Sequence, residues 1–249
     1  MSDEYETWNG SRWNFTRARS NWHFDKNIPP SPGKDSYTPI CIFSADFTDS
    51  IEQCMPKAKP STWSTRNNFD KKIAKSGLYT ANAEEADLIR AGADPRQEVF
   101  SRTAADYIVL FTKISDWLGL EDPMIKFHNQ TTGQMLHLHI DNFAARPERG
   151  NSFKITDMDR NPDTMRRFAV MLADWEMGQA WMFGNAVYHG WKAGTCITWE
   201  WMDMPHATVN AGWHPRPMLQ ITGRQTKQTI DIVESAERGI GKPLEVVKI

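Results

Sequence analysis

Residues 134–143, QMLHLHIDNF, belong to a run of short apolar segments that decides the fold. The other members of the run are MIKFHN (124–129), RFAVMLADW (167–175), QAWMFGN (179–185), GTCITWEWM (194–202) and PRPMLQITG (215–223). All are rich in β-branched and aromatic residues and are bounded by Gly, Asn or Pro. Short segments at this spacing predict the strands of a β-sandwich or small barrel. We therefore expect a mainly β protein with flanking helices.

The chain before this run has a mixed pattern. NIPPSPGKDS (27–36) predicts a loop, PICIFSADF (39–47) one short strand, and ANAEEADLIRAG (81–92) a short helix. Asp94-Pro95 has the composition of a helix start, and apolar residues then recur at helical spacing up to a glycine. A second helix is therefore predicted from Asp94 to Gly119.

The end of the chain predicts one more helix, over residues 226–238, which Gly239 terminates. Together these patterns predict an N-terminal extension, 1–120, whose helices pack on a β core formed by residues 121–249. We expect the two parts to form one structural domain, because all-β units often reach this size.

Composition excludes several classes of protein. The 249 residues carry a net charge of −2, with 24% charged residues, and this balance argues against nucleic acid as a partner. The three cysteines contain no CxxC pair, which argues against a disulfide scaffold and favours a reducing compartment. The start, MSDEYETWNG, lacks the pattern of a signal peptide, and no apolar run approaches the roughly 20 residues that span a bilayer. We expect a cytoplasmic protein that does not enter membranes.

A pair of candidate metal ligands lies in the segment HLHIDNF. On a strand, residues i and i+2 point to the same side, so His139 and Asp141 can face one metal ion. A histidine from another strand would complete a site of two histidines and one carboxylate, which leaves positions open on Fe(II). His206 and, ten residues later, Arg216 follow in the same β region. An isolated HxD pair is common by chance. The interpretation as a metal site therefore depends on the HxD pair together with His206 and Arg216 and not on the pair alone.

These pieces, in this order, resemble the Fe(II)/2-oxoglutarate-dependent dioxygenases, in particular the prolyl-hydroxylase-like members. That family carries a turn with Gly six residues before the first ligand His, then HxD, then a Gly-led strand before the distal His, and an Arg about nine to eleven residues later. The matching residues here are Gly133, His139, Asp141, Gly194, His206 and Arg216. The resemblance covers roughly residues 124–224 and implies a double-stranded β-helix core of the jelly-roll or cupin type.

The resemblance also implies roles for single residues. His139, Asp141 and His206 would bind Fe(II), and Arg216 would pair with the distal carboxylate of the cosubstrate 2-oxoglutarate, for which its planar fork is suited. Gln130 stands where related enzymes often have a cosubstrate-contacting Tyr, and its amide could still donate to a carboxylate. The implied reaction uses O2 and releases succinate and CO2. It needs no protein residue as catalyst beyond the metal ligands, because metal and cosubstrate supply the chemistry.

A second histidine–arginine pair has the same spacing. His214 and Arg224 are also ten residues apart, but His214 falls in a GWHP turn and Arg224 follows a strand end. We favour the pair of His206 and Arg216, because Arg216 begins the apolar strand segment PMLQIT.

The tryptophans and the remaining histidines leave alternatives open. His137 shares strand parity with the HxD pair, and the aromatic candidates for a pocket wall are Trp181, Trp201 and Trp213. Simple core packing explains these residues equally well. The substrate is left open between small molecules and peptides.

Two rival functions also fit the pattern. One is a non-catalytic cupin or jelly-roll protein that binds a carbohydrate or small ligand and has a structural histidine cluster. The other is a cupin metalloenzyme that does not use 2-oxoglutarate, which would give Arg216 no task.

Overall fold

The computed structural model describes residues 30–33, 35–60, 100–139, 164–201 and 204–249, and of Pro60, Phe100 and residues 137–139 only the backbone. The strands in chain order are β1 (Thr38–Ser44), β2 (Lys59–Pro60), β3 (Phe100–Ala104), β4 (Leu120–Gln130), β5 (Gln134–His139), β6 (Met165–Met171), β7 (Gln179–Phe183), β8 (Ala186–Tyr188), β9 (Thr195–Thr198), β10 (His206–Asn210), β11 (Arg216–Gln225) and β12 (Val246–Lys248). The helices are α1 (Thr48–Cys54), α2 (Val109–Trp117) and α3 (Lys227–Arg238), and a 3-10 turn covers Met55–Lys57.

The strands form two sheets. An eight-stranded sheet has the order β12-β1-β9-β6-β11-β4-β3-β2, and a four-stranded sheet has the order β5-β10-β7-β8. From β4 to β11 the chain passes back and forth between the sheets, and four strands enter each of them. This is the strand order of a double-stranded β-helix, a form of the jelly roll. The fold is therefore mainly β and cupin-like, as the resemblance implied.

The eight-stranded sheet separates two apolar cores. Successive residues of a strand face opposite sides, so Phe168 and Val170 of β6 enter one core while Ala169 and Met171 enter the other. The first core lies against the helices and includes Phe111 of α2. The second core faces the four-stranded sheet. Its buried aromatic residues are Tyr37, Trp181, Phe183, Tyr188, Trp191, Trp199 and Trp201.

The prediction of one helix from Asp94 to Gly119 is wrong in part. Residues Phe100–Ala104 form β3, which pairs antiparallel with β4, and the helix covers only Val109–Trp117. The ladder with β4 supplies backbone hydrogen bonds that the helical spacing of a few apolar residues does not outweigh. The end of the helix is as predicted, since Gly119 has a φ of +70°. The predicted helix over 81–92 lies outside the described residues.

Other boundaries follow the predictions more closely. The strand predicted at 39–47 is β1, and the last helix is α3, with Thr226 as N-cap and Gly239 as C-cap. The Thr226 hydroxyl accepts a hydrogen bond from the Thr229 backbone N–H, which satisfies one open donor of the first turn. Besides β3, the strands β2, β8, β10 and β12 were not predicted. In particular, His206 begins a strand rather than following one.

The first 120 residues also contribute strands to the core. β1 lies between β12 and β9 in the eight-stranded sheet, and β3 lies beside β4. A glycine makes the contact with β1 possible: Gly194 has a φ of +85°, and a Cβ there would lie 2.0 Å from the Phe43 carbonyl oxygen. Only glycine tolerates both conditions.

Two further observations concern sequence predictions. Cys41, Cys54 and Cys196 are all buried free thiols, as the absence of a disulfide pattern predicted. In the described part of the chain, no helix has the length and apolar character needed to cross a membrane.

Candidate active site

His206 lies at the start of β10, on the buried face of the four-stranded sheet, and only 3% of it is exposed. Its Nδ1 lies 3.0 Å from the Met204 carbonyl oxygen. Because a carbonyl oxygen only accepts, Nδ1 carries the proton in this contact, and Nε2 is the ring atom that would bind a metal in the neutral tautomer. Metal-binding histidines commonly fix their tautomer with such a bond, so the His206 ring fits the part of a metal ligand.

The backbone register brings His139 opposite His206. β5 and β10 pair antiparallel, with His206 opposite His139 and Thr208 opposite Leu136. Two steps along β10 therefore correspond to three along β5, so β5 contains one extra residue, a β-bulge. Bulges are frequent next to active sites, where they redirect a side chain.

The metal site as a whole is only partly within the described chain. Asp141 lies outside the described residues, and the side chains of His137 and His139 are not described. Where side chains are described, no group of three His, Cys, Asp or Glu residues could hold a metal ion. His206 is thus the one predicted ligand whose side-chain geometry can be stated, and the three-residue site stays a prediction.

Arg216 begins β11 and is also 3% exposed. Its Nη2 donates to Gln130 Oε1 at 2.6 Å, while Nε and Nη1 have no acceptor among the described residues. The guanidinium carbon lies 5.4 Å from the ring centre of Trp181 and 5.8 Å from that of Trp191. Burial in this aromatic surrounding lowers the pKa of Arg216 to about 10. A buried cation that pairs with a neutral amide is poised for an anionic ligand.

Gln130 uses its side chain to hold Arg216. The Oε1 atom accepts from Arg216, and Nε2 donates to the backbone carbonyls of Gln134 at 3.1 Å and, at the limit of hydrogen bonding, Thr208 at 3.5 Å. Gln130 and Arg216 also face each other in the β4–β11 ladder. Because both ends of the amide are engaged, Gln130 acts in this geometry as the partner of Arg216. The donation to a cosubstrate considered from the sequence is not available without a change in these bonds.

The alternative pair, His214 and Arg224, lies at the surface. The His214 side chain is 81% exposed, and its Nδ1 lies 2.9 Å from Glu176 Oε2. Arg224 is partly exposed, and its Nη2 lies 3.9 Å from Asp122 Oδ2. The geometry therefore favours His206 and Arg216 as the functional pair, because a metal and a cosubstrate need an enclosed site.

The three tryptophans proposed as a pocket wall occupy different places. Trp181 is buried, with its ring centre 6.2 Å from that of His206, and it also contacts Arg216. Trp201 is buried, but its Nε1 donates to the Met165 carbonyl at 3.1 Å. Trp213 is 85% exposed, so the structure contradicts its assignment to an enclosed wall. It belongs to the short turn between β10 and β11, which lies at the rim of the sheet.

Two aromatic residues near His206 were not among the predicted pocket residues. Trp199 has its ring centre 5.3 Å from that of His206, and Phe183 lies at 5.9 Å. Phe183 is also the direct partner of His206 in the β7–β10 ladder. A correct alignment of β7 with β10 would have identified it, but β10 was not predicted as a strand.

Comparisons with known proteins give a likeness of fold. No family model matches this chain, and no curated protein matches it in sequence. A prolyl-4-hydroxylase from Pseudomonas putida is 17% identical with a TM-score of 0.35, over 58% of this chain and 85% of that chain. A cupin-superfamily sugar phosphate isomerase from Silicibacter pomeroyi is 13% identical with a TM-score of 0.31, over 51% of this chain and 60% of its own length. A predicted oxalate decarboxylase from Thermotoga maritima is 9% identical with a TM-score of 0.30, over 51% of this chain and 81% of that chain. These proteins carry different activities, so the likeness assigns no reaction.

Proposed function

We propose that this protein is an Fe(II)- and 2-oxoglutarate-dependent oxygenase that hydroxylates a small-molecule or peptide substrate and releases succinate and CO2. The observation that carries the proposal is the buried Arg216, two of whose N–H-bearing nitrogens lack an acceptor among the described residues. A carboxylate is the ligand that best matches a guanidinium, because two parallel hydrogen bonds form at once.

The surroundings of Arg216 support a dicarboxylate in particular. Trp181 contacts both Arg216 and His206, so the cation and the candidate metal ligand belong to the same aromatic cluster. A ligand with a carboxylate at one end and metal-binding oxygens at the other would reach both. 2-Oxoglutarate has this form, and its use follows the resemblance of the sequence motifs.

The donor set fits Fe(II). Two neutral imidazoles and one carboxylate, from His139, Asp141 and His206, are the facial triad of non-haem iron oxygenases. When bound, Fe(II), 2-oxoglutarate and O2 supply the oxidising power of the reaction. The protein's own residues hold and enclose these groups: Met204 orients the His206 ring, Gln130 orients Arg216, and the aromatic side chains limit the access of water.

One experiment separates the proposal from its rivals. The purified protein is loaded anaerobically with Fe(II), and 2-oxoglutarate is added while the visible spectrum and the heat of binding are recorded. We expect one Fe(II) per chain, a weak visible band that needs both components, and succinate formation once O2 and a substrate are admitted. A non-catalytic jelly-roll binding protein should give neither the band nor succinate.

The same measurement also tests the metalloenzyme that works without 2-oxoglutarate. That protein should bind Fe(II) and yet show no heat of binding and no band with 2-oxoglutarate. A screen for succinate release over free amino acids, peptides and other small metabolites would then identify the substrate of an oxygenase.

A further inference from the structure

Four tryptophans that belong to the second core or pack against it divide into two groups by the hydrogen bonds of their indole N–H. The Nε1 of Trp201 donates to the Met165 carbonyl at 3.1 Å, and that of Trp175 donates to the Gln179 carbonyl at 2.7 Å. The Nε1 atoms of Trp181 and Trp199 are buried and have no acceptor among the described residues. A buried indole N–H normally finds an acceptor, so the second group requires an explanation.

The two indoles without an acceptor are also the ones next to His206. Their ring centres lie 6.2 Å (Trp181) and 5.3 Å (Trp199) from the imidazole, and 5.3 Å from each other in an edge-to-face arrangement. Trp181 also stacks with Arg216, which has two unmatched nitrogens of its own. The aromatic cluster around His206 and Arg216 therefore has four buried nitrogens that can donate and lack an acceptor in the described chain.

We infer that Trp181 and Trp199 form a hydrogen-bonding subsite that recognises oxygen atoms of the ligand held by Arg216. The inference rests on the proposed function and specifies it further: the ligand is an oxygen-rich anion whose acceptors meet two indole N–H groups as well as the guanidinium. Trp181 serves the carboxylate end, because it contacts Arg216. Trp199 serves the end near His206, to which its ring lies closest.

The chemistry of these four nitrogens supports this assignment. The four unmatched nitrogens are all donors and an anion brings only acceptors, so one anionic ligand can satisfy them together. A hydrogen bond between a donor and a charged group stabilises by about 1.5–3 kcal/mol. Loss of one such bond therefore weakens binding roughly tenfold to a hundredfold.

The test uses tryptophan-to-phenylalanine variants, which remove the N–H and keep an aromatic face for stacking. The dissociation constant for 2-oxoglutarate is measured by calorimetry with protein loaded with Mn(II), for wild type, Trp181→Phe and Trp199→Phe. Trp201→Phe is the matched control, because it removes an indole of the same core that already has a backbone acceptor. We expect both variants to bind roughly tenfold to a hundredfold more weakly and the control to bind like wild type.

The possible outcomes are distinct. Wild type that fails to bind 2-oxoglutarate refutes the proposed function. Wild type that binds, together with a variant that binds equally well, removes that indole from the subsite, and two such variants overturn the inference. Equal weakening in the Trp201→Phe control would also overturn it, since the effect would then be one of packing.

A second measurement does not depend on the variants being folded. The indole N–H signals of nitrogen-15-labelled, Zn(II)-loaded wild type are followed as 2-oxoglutarate is added. We expect two of the eleven tryptophan signals to move strongly downfield, as happens when an N–H begins to donate to an anion. A spectrum in which no indole signal moves at saturation would refute the subsite.

Discussion

His206 with Arg216 and His214 with Arg224 are two pairs with the same spacing and opposite surroundings. The first pair is enclosed between the sheets, with each residue 3% exposed, whereas the His214 side chain is 81% exposed. His214 has a carboxylate partner, Glu176, and Arg216 has none among the described residues. The ten-residue spacing therefore identifies candidate histidine–arginine pairs. A buried arginine that has no charged partner distinguishes a ligand site from a surface ion pair.

The largest difference is expected for metal binding. His206→Ala should lower the affinity for Fe(II) more than about 100-fold, because changes in the outer shell of a metal site alone cost roughly 10- to 100-fold. His139→Ala and Asp141→Ala should act in the same way, and His214→Ala should keep the wild-type affinity. Metal analysis and calorimetry measure the effect. The reverse result for the two histidines would move the site to the exposed pair.

The second prediction concerns the two arginines. Arg216→Met should weaken 2-oxoglutarate binding roughly 30- to several-thousand-fold, since truncation of one partner of a buried charge pair costs about 2–5 kcal/mol. The Tm without ligand should not fall, because the variant no longer buries a charge that lacks a partner. Arg224→Met is the control and should change neither quantity. Unchanged 2-oxoglutarate affinity in Arg216→Met would refute the assigned role.

A third prediction uses the neighbour of Arg216. Gln130→Glu would give the guanidinium an internal carboxylate, which should weaken 2-oxoglutarate binding roughly tenfold to a hundredfold. Calorimetry measures the effect. Gln220→Glu adds the same charge at a half-buried position of β11 and is the control. If Gln130→Glu leaves the affinity intact, the charge of Arg216 does not hold the cosubstrate.

The smallest effect is expected at the surface pair and depends on pH. The hydrogen bond from the His214 side chain, with further bonds from the backbone, lowers the pKa of Glu176. A carboxyl whose pKa is lowered by folding stabilises the fold at pH values above its pKa in the unfolded chain, about 4.3. This contribution is lost as the pH falls through the pKa of the folded state. Glu176→Gln should therefore be slightly less stable than wild type at pH 7.

The difference between wild type and Glu176→Gln should disappear in acid. Thermal unfolding between about pH 2.5 and 7 checks this, around the unfolded carboxyl pKa. The affinities for Fe(II) and 2-oxoglutarate should be those of wild type at pH 7. A loss of either affinity would mean that the exposed pair acts on the site.

Much of the fold could be predicted because the strand segments carry local signals. The segments that became β4, β6, β7 and β11 have β-branched and aromatic residues between turn residues, and α3 has a capping residue and a terminal glycine. The sequence also left only two arginines, Arg216 and Arg224, as candidates for binding the carboxylate of the cosubstrate. The region around β3 was misassigned, because its few residues form a strand only through pairing with β4.

The sequence by itself determined the mainly β class, the order of the ligand motif and the spacing of His206 and Arg216. Only the tertiary structure decided that a bulge in β5 aligns His139 with His206, that Gln130 holds Arg216, and that Trp181 and Trp199 rather than Trp213 surround the imidazole. The reason is physical: turn signals and side-chain alternation are local. Register, burial and missing hydrogen-bond partners depend on strands that are far apart in the chain.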